Sequence, residues 1–467
     1  MRSATTWLAL AMCAFACAAP ARSQRTLPPL GDEGEVYVYL EPFPAEAEHL
    51  AFTVSAAQVA RADGPAAPLE LLLPNLGGLG TSRQRLLAWG RLPPGDYTSL
   101  LLTVKRATLG SPEGRSDLLV PPEPDRVPVA FQVERGRATL VALTLQYARS
   151  VDRSFAFSPA FTAEQARTPV EQLIGYCSST ALASLTAFDR HRHRALAVTP
   201  VGRAPEGVVL DRRAHRAYVA LPGEDQVEVL DLATGADLQR LPLRGGDRPR
   251  ELALTPDGQA LVVLNQGSYS VSFLDLSTAS ELARAPTGEE PYSLRLDRSG
   301  RRAYVFNRRS NTVTVVDLPS RQVAATVPVD AEPLRGQVDR TGGRLYVVHG
   351  GSSYLTVLTL PDLTVASRLY VGLGASAVEV DVRTDRVYVA VGRTLEVFDP
   401  LSIVPIDSFE LPGAASTLAV DEVENTLLAV LPDLRAVAFI DLTSRHLTGL
   451  VDVGESPYAT AIEGELR

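Results

Sequence analysis

The stretch that decides the fold is RRAYVFNRRSNTVTVVDL, residues 301–318. It contains two apolar runs, Ala303–Phe306 and Val313–Val316, separated by the polar residues 307–311. Two short β-rich runs around a polar turn predict a β-hairpin. What the chain builds from this hairpin depends on whether it stands alone or recurs.

The hairpin recurs with a regular period. The position of Asp317, which ends the run VTVVD, occurs in seven copies: Asp189, Asp231, Asp275, Asp317, Thr359, Asp399 and Asp441. Successive spacings are 42, 44, 42, 42, 40 and 42 residues. A YV pair or its apolar equivalent precedes each of these positions, and a proline opens most copies. A unit of four predicted strands in about 40–45 residues is typical of a propeller blade.

The two ends of the repeat region complement each other. The first copy, from Tyr176, contains only the later strands of a unit, and the segment SPYATAIEGELR at residues 456–467 matches only an opening strand. Joining them makes one shared blade, and ring closure removes exposed sheet edges. We therefore predict an all-β fold with a seven-bladed β-propeller over residues 175–467, closed by exchange of the N- and C-terminal strands in one blade.

The repeat RRAYVFNRRSNTVTVVDLPSRQVAATVPV and its copies resemble the YVTN-type β-propeller repeat of secreted bacterial and archaeal proteins. The resemblance covers about residues 175–467 and implies the propeller fold. It implies no single function, because relatives include surface-layer proteins, periplasmic binding propellers and, more distantly, lactonase and haem d1 propellers.

The preceding region, residues 33–150, has short alternating runs without this period. The segment VAFQVERGRATLVALTL, residues 129–145, predicts a hairpin that turns at Arg135 and Gly136. The segment LPPGDYTSLLLTV, residues 92–104, resembles a corner of Ig-like or transthyretin-like domains of secreted bacterial proteins, which implies that Tyr97 packs over the Pro-Gly turn. We predict a small β-sandwich over 33–150 and a connector over 151–174.

The first residues, MRSATTWLALAMCAFACAAPARSQ, have the character of a secretory signal. A basic start precedes an apolar run too short to span a bilayer, and Ala19-Pro20-Ala21 is an A-x-A cleavage site. We predict a signal peptide over residues 1–21 and a secreted or periplasmic protein. The alternative is lipidation at Cys17, which would make it an outer-membrane lipoprotein tethered to the membrane only by its lipid.

Composition and short motifs exclude several functions. A net charge of −9 and a pI near 5.4 argue against nucleic-acid binding. No CxxC or CxxCH motif exists, which excludes covalent c-type haem and cysteine-based zinc sites. Once residues 1–21 are removed, Cys177 is the only cysteine, and it is expected to be buried. We predict no metal, no cofactor and a monomer.

Candidate site residues lie on the first strand of each unit, which lines the central channel of a propeller. The fourth position after the opening proline or its equivalent varies along the chain: Val209, Ala253, Arg295, Gln337, Glu379, Ala419 and Ala461. The next position is always apolar, and alternation puts the two rows on opposite faces. Arg295, Gln337 and Glu379 therefore share one sector, and Glu251 and Arg335 lie two positions earlier on the same face.

A second polar row follows the YV strands of three adjacent units at Asn265, Asn307 and His349. We expect it on the same side of the propeller as Tyr292 and Tyr458, which follow opening prolines. The candidate ligand-binding set is therefore Arg295, Gln337, Glu379, Glu251, Arg335, Tyr292, Asn265, Asn307 and His349. The alternative is a structural network of ion pairs and water that plugs the channel.

The predicted function is a non-enzymatic binding or scaffold protein of the bacterial cell envelope. The polar face of its propeller would bind a partner protein, peptide or glycan. One alternative is a lactonase- or esterase-like hydrolase, with Glu251 and Glu379 in a channel site. A second is a redox-cofactor propeller, for which only His349 is well placed. No catalytic motif is recognised, which favours binding over catalysis and leaves the question of an enzyme open.

Overall fold

The computed structural model describes residues 27–28, 30–62, 64–77, 82–111, 114–151, 156–165 and 173–462. The predicted signal peptide and Cys17 lie outside these residues. Within the described ranges, helices that combine the length and the apolar character needed to cross a bilayer are absent.

Residues 173–462 form seven four-stranded antiparallel sheets, which we number as blades 1 to 7. Their strands are as follows: blade 1, β11 (Ile174–Ser179), β12 (Ser184–Asp189), β13 (Arg194–Pro200) and β38 (Pro457–Ile462); blade 2, β14 (Val208–Asp211), β15 (Arg216–Leu221), β16 (Gln226–Asp231) and β17 (Asp237–Pro242); blade 3, β18 (Pro249–Leu254), β19 (Ala260–Asn265), β20 (Ser270–Asp275) and β21 (Ser280–Pro286); blade 4, β22 (Pro291–Leu296), β23 (Arg302–Asn307), β24 (Thr312–Asp317) and β25 (Gln322–Pro328); blade 5, β26 (Pro333–Val338), β27 (Arg344–His349), β28 (Tyr354–Thr359) and β29 (Thr364–Tyr370); blade 6, β30 (Ala375–Asp381), β31 (Arg386–Val391), β32 (Thr394–Phe398) and β33 (Asp407–Glu410); blade 7, β34 (Thr417–Asp421), β35 (Thr426–Leu431), β36 (Ala436–Asp441) and β37 (Leu447–Asp452). A short 3-10 turn, Pro432–Leu434, interrupts blade 7.

Blade 1 is the shared blade that the sequence predicts. Its strand order is β13-β12-β11-β38, so that the last strand of the propeller pairs antiparallel with the first. Ala461 lies opposite Tyr176, and the Thr460 hydroxyl donates to the Tyr176 carbonyl at 3.0 Å. The predicted seven-bladed ring and its closure are confirmed.

The repeated markers explain why each unit folds as a blade. The second strand of each unit is apolar on both faces because neighbouring blades cover it, and Tyr304 and Val305 are buried there. The carboxylate of Asp317 accepts the backbone N–H of Ser320 at 2.9 Å, and Asp275 accepts that of Thr278 at 2.9 Å. The recurrent aspartate therefore caps the turn before the outer strand.

The N-terminal region is a single ten-stranded sheet. Its strands are β1 (Gly34–Leu40), β2 (Leu50–Ala60), β3 (Ala67–Leu71), β4 (Asn75–Gly77), β5 (Arg85–Leu92), β6 (Gly95–Ser111), β7 (Gly114–Leu118), β8 (Asp125–Val133), β9 (Ala138–Leu145) and β10 (Phe161–Gln165), with a 3-10 turn at Ala45–Ala47 and a helical turn, α1, at Tyr147–Ser150. The main path runs β10-β9-β1-β5-β3-β2-β6-β7, with β4 on β2 and β8 on β6.

This sheet curls into a half-barrel around its own core, so the predicted β-sandwich is not confirmed. Strands β8 and β9 do not form the expected hairpin, although the chain turns between them, with Gly136 at φ 69°. Instead β8 pairs with β6, and β9 pairs with β1 and β10. The two ends of the sheet thereby face one core, to which both Phe131 and Val141 contribute. Strand β10 lies inside the predicted connector.

The expected corner is present in this region. The Tyr97 hydroxyl donates to the carbonyl of Pro93 at 3.0 Å, and its ring stacks on Phe131 with centroids 5.4 Å apart. Gly95 adopts φ 145°, which only glycine tolerates readily. Tyr97 therefore closes the turn over the Pro-Gly pair, as the resemblance implies.

The half-barrel packs directly on blades 1 and 7. Strand β1 is buried on both faces, and its alternation sends Tyr37 and Tyr39 toward the propeller, where they join a core with Cys177 and Phe439. The Tyr39 hydroxyl donates to the Asp452 carbonyl at 3.2 Å. Burial raises the pKa of the Cys177 thiol, which is therefore an apolar core group. The interface is hydrophobic at its centre and holds the two regions together.

Candidate functional site

The inner strands place the predicted channel residues at equivalent points of successive blades. Arg295, Gln337 and Glu379 lie opposite Tyr304, Tyr346 and Tyr388 in the strand pairing, which is the same register in all three blades. The blades are related by rotation about the channel axis. Identical registers therefore bring these three side chains to one level of one sector.

The three side chains form a hydrogen-bonded group that we call the channel triad. Arg295 Nε donates to Gln337 Oε1 at 2.6 Å, and Arg295 Nη2 pairs with Glu379 Oε2 at 3.1 Å. Gln337 Nε2 also donates to Glu379 Oε1. The arginine side chain stays 43% exposed and the glutamate 12%. The triad spans blades 4, 5 and 6, and its three side chains are hydrogen-bond partners of one another.

A second ion pair lies nearer the start of the inner strands. Arg335 Nη1 pairs with Glu251 Oε1 at 2.5 Å, with both side chains 14% exposed. The other oxygen, Glu251 Oε2, accepts the backbone N–H of Leu294 at 3.0 Å. This pair joins blade 3 to blade 5 and uses the backbone of the blade between them.

Two tyrosines and a further arginine surround this pair. The guanidinium carbon of Arg250 lies 4.2 Å from the ring centroid of Tyr292 and 5.3 Å from that of Tyr458. The guanidinium carbon of Arg335 lies 5.7 Å from the ring centroid of Tyr292. Cation–π contacts of this kind hold guanidinium planes in place. We call Glu206, Arg250, Glu251, Tyr292, Arg335 and Tyr458 the channel-mouth cluster.

Sequence reasoning missed Glu206 and Arg250. Both directly follow an opening proline, at the position that Tyr292 and Tyr458 occupy in their own units. The position directly after the opening proline therefore also indicates site residues, in addition to the positions two and four residues after that proline. Glu206 Oε2 and Arg250 Nη1 are 3.7 Å apart, within ion-pair distance but beyond hydrogen-bond distance.

Several polar atoms of the channel-mouth cluster are buried without a hydrogen-bond partner among the described residues. They are Glu206 Oε2, Arg250 Nε, Arg335 Nε and Tyr458 Oη. Burial raises the pKa of Glu206, and burial raises that of Tyr458 well above its usual range. A buried polar group without a partner costs about 1–3 kcal/mol. The cluster therefore has hydrogen-bonding capacity that the described protein groups do not use.

The second polar row lies inside the blades. Asn265, Asn307 and His349 are fully buried and lie opposite the opening prolines of their units. Asn307 Nδ2 donates to Thr314 Oγ1 at 2.9 Å, and His349 Nε2 lies 3.0 Å from Thr356 Oγ1. Burial lowers the pKa of His349 to about 4, so that it is neutral at neutral pH. Their hydrogen bonds tie the second strand to the third.

A protein metal site requires ligating side chains that converge on one point. No cluster of three or more histidine, cysteine, aspartate or glutamate side chains there is arranged to hold a metal ion.

The comparisons with known proteins identify the architecture. No protein-family model matches the chain. No curated protein matches it either. In contrast, 1610 solved chains match, so the likeness is to a widely used fold.

Three solved structures illustrate this. A functionally unknown protein from Desulfotomaculum acetoxidans has a TM-score of 0.56 at 14% identity, covering 63% of this chain and 99% of its own. The dihydro-haem d1 dehydrogenase NirN, in complex with DHE, has a TM-score of 0.50 at 14% identity, covering 63% of this chain and 77% of its own. The hydrazine synthase of Kuenenia stuttgartiensis has a TM-score of 0.46 at 17% identity, with coverages of 51% and 76%. The likeness to the first two of these structures shows the propeller fold alone and does not confirm membership of the YVTN-type family.

Proposed function

We propose that this protein is a non-enzymatic extracytoplasmic binding protein whose channel-mouth cluster holds a polar group of a partner protein, peptide or glycan. The observation that carries the proposal is the set of buried polar atoms in this cluster without a hydrogen-bond partner among the described residues. Native proteins leave few such atoms, and a ligand is one way to satisfy them.

The chemistry of the cluster favours a ligand group rich in acceptors. Arg250 Nε, Arg335 Nε and the Tyr458 hydroxyl are donors, whereas Glu206 Oε2 is the acceptor among the unpartnered atoms. Guanidinium groups recognise carboxylates through parallel hydrogen bonds, and the Tyr292 ring fixes the plane of Arg250. A carboxylate on an acidic peptide or glycan therefore fits the site best.

The test uses arrays of acidic peptides and acidic glycans, probed with the purified protein and three variants. Arg250→Gln removes one donor, and the double variant Glu251→Gln/Arg335→Gln removes the second arginine without leaving its partner charged. The matched control is Arg298→Gln, an exposed arginine in the turn at the opposite end of an inner strand. We expect array ligands that bind the wild type and the control but lose at least tenfold in affinity with both site variants.

Two results would contradict this proposal. One is an absence of bound peptides or glycans for the wild type. The other is equal binding by the site variants and the control. A double variant that unfolds at lower denaturant concentration but binds normally would favour the structural network instead.

The two enzymatic alternatives gain no specific support. Glu251 and Glu379, the carboxylates of the hydrolase alternative, each pair with an arginine. His349, the histidine of the redox alternative, lies within its blade against Thr356. Binding therefore stays the function that we propose.

The extracytoplasmic location is part of the proposal and rests on residues 1–21. Mass spectrometry of the protein isolated from its host tests it. A mature chain that begins at Arg22 supports secretion, and one that begins at a lipid-modified Cys17 supports the lipoprotein form. A chain that retains Met1 contradicts both.

A further inference from the structure

A cleft of about 300 Å³ lies where the half-barrel meets blade 7, and its lining includes no residue of the channel triad or the channel-mouth cluster. Leucines line it from both sides, Leu72 and Leu86 from the half-barrel and Leu434 from the propeller. Three arginines, Arg83, Arg85 and Arg435, and two aspartates, Asp433 and Asp452, also line it. Small-molecule sites commonly form at domain interfaces and combine apolar walls with a few charged groups.

Two of these arginines have carboxylate partners in the protein. Arg85 Nε pairs with Asp452 Oδ2 at 3.3 Å, and Asp452 also accepts the backbone N–H of Leu86 at 3.2 Å. Arg435 Nη2 pairs with Glu455 Oε1 at 3.0 Å. These pairs fix the positions of both guanidinium groups at the edge of the cleft.

Arg83 differs from its neighbours. Its Nη1 atom is buried and has no hydrogen-bond partner among the described residues. Burial and the nearby Arg85 both lower the pKa of the Arg83 guanidinium, and the carboxylate of Asp452, which pairs with Arg85, offsets this only in part. A buried donor without a hydrogen-bond partner is costly, so an anion that reached Nη1 of Arg83 would be bound favourably.

We propose that this interdomain cleft binds a small organic anion, whose carboxylate or phosphate pairs with Arg83 and whose apolar part packs on the leucines. Arginine suits this task because its planar fork donates two parallel hydrogen bonds to an oxyanion. Residues of the half-barrel and of blade 7 contact the same ligand, so binding also strengthens the contact between the two regions.

The experiment measures binding of three probes, inorganic phosphate, acetate and benzoate, by calorimetry and thermal unfolding at constant ionic strength. We expect saturable binding of phosphate or benzoate that raises the unfolding temperature, with benzoate tighter than acetate because of the leucines. Arg83→Gln is expected to weaken binding at least tenfold. The control Arg106→Gln, an exposed arginine of the same sheet, leaves it unchanged.

The stability of Arg83→Gln, measured without any of the three anions, distinguishes a ligand-binding role of Arg83 from a structural role. Because Arg83 Nη1 bonds to no described residue, Arg83→Gln is expected to be at least as stable as the wild type in chloride buffer. A clear loss of stability in this variant would overturn the proposal, since it would mean that the protein itself supplies the anion. Absence of saturable binding for all three probes, or equal affinities in Arg83→Gln and wild type, would overturn it as well.

Discussion

The backbone N–H of Ala459 donates to Oγ of Ser178 at 3.2 Å, across 281 residues of chain. The same hydroxyl donates a hydrogen bond to the carbonyl of Glu206, at the start of blade 2, at 2.6 Å. One serine thus joins the last strand of the propeller to the first and both to the next blade. The ring is closed by hydrogen bonds and packing at this point.

Removal of residues 457–467 should open the ring. The loss of β38 exposes the edge of β11 and the apolar residues beneath it, so we expect the free energy of unfolding to fall by about 5 kcal/mol or more. Urea unfolding measures the change. A synthetic peptide of residues 455–467 should restore part of the loss, and an unchanged midpoint after truncation would contradict the role of this strand.

The ion pair between Arg190 and Asp421 should be strongly coupled to folding. Arg190 Nη1 bonds to Asp421 Oδ2, and the two side chains are 0% and 1% exposed between blades 1 and 7. Asp421→Asn keeps the oxygen that accepts the Val423 N–H but removes the negative charge that pairs with Arg190. We expect a loss of about 3–5 kcal/mol in urea unfolding.

An exposed pair provides the control for this measurement. Arg106 and Asp117 pair at 2.9 Å with both side chains 69% exposed. Asp117→Asn should cost less than about 1 kcal/mol because water screens the pair. Equal losses in the free energy of unfolding for Asp421→Asn and Asp117→Asn would contradict the prediction that the buried pair contributes more to stability than the exposed pair.

Glu228 should make the fold less stable as pH rises. Burial raises its pKa to about 7, although it accepts the Gly202 N–H at 2.7 Å and pairs with Arg240 at 2.9 Å. The unfolded chain releases this proton near pH 4.5. Between these values the folded state binds more protons, so stability falls with rising pH. Glu228→Gln should remove this fall and gain on the order of 3 kcal/mol above pH 8.

Urea unfolding of both proteins at pH 5 and pH 8 measures the effect. Glu410→Gln, at an exposed position, serves as the control and should follow the wild type. Parallel pH dependences for wild type and Glu228→Gln would refute the assignment.

His349 should act in the opposite direction. Its pKa of about 4 in the folded state lies below the ordinary value of 6.5, so the unfolded chain binds the extra proton first. Stability should therefore fall as pH drops from 6.5 to 4, by on the order of 3 kcal/mol. His349→Asn should flatten this pH dependence in urea unfolding.

The variant His349→Asn also tests whether position 349 of blade 5 is structurally equivalent to position 307 of blade 4. Asn307 holds the equivalent place in blade 4 and donates to Thr314 as His349 contacts Thr356. His349→Asn should therefore fold with a change below about 1.5 kcal/mol at pH 7.5, whereas His349→Ala leaves a cavity and should cost more. Comparable losses for both variants would argue against this equivalence.

Much of the propeller could be predicted from the sequence because its information is local and repeated. The period set by positions such as Asp231 and Asp275 predicts blades, and the half-unit before Asp189 predicts the shared blade. The registers of Arg295, Gln337 and Glu379 follow from counting four positions after the opening proline or its equivalent, Ala375. Each of these inferences needs only strand alternation and rotation of one blade onto the next.

The half-barrel and the site depended on contacts that no local pattern encodes. Residues near Arg135 and Gly136 look like a hairpin, yet β8 and β9 pair with distant strands because curling lets both ends of the sheet cover one core. Tyr37 and Tyr39 pack on blades 1 and 7, and the alternation of their strand does not indicate which surface will cover them.

The sequence by itself determined the ring of seven blades, because each unit repeats the same apolar and turn positions and its neighbours bury it. Only the tertiary structure decided which polar groups meet. Arg250 and Glu206 come together with Tyr458 at the channel mouth, and Arg83 comes to the domain interface, because those distances depend on how whole sheets pack. Packing brings together residues that are far apart in the chain, and their side chains leave no periodic signal of that contact.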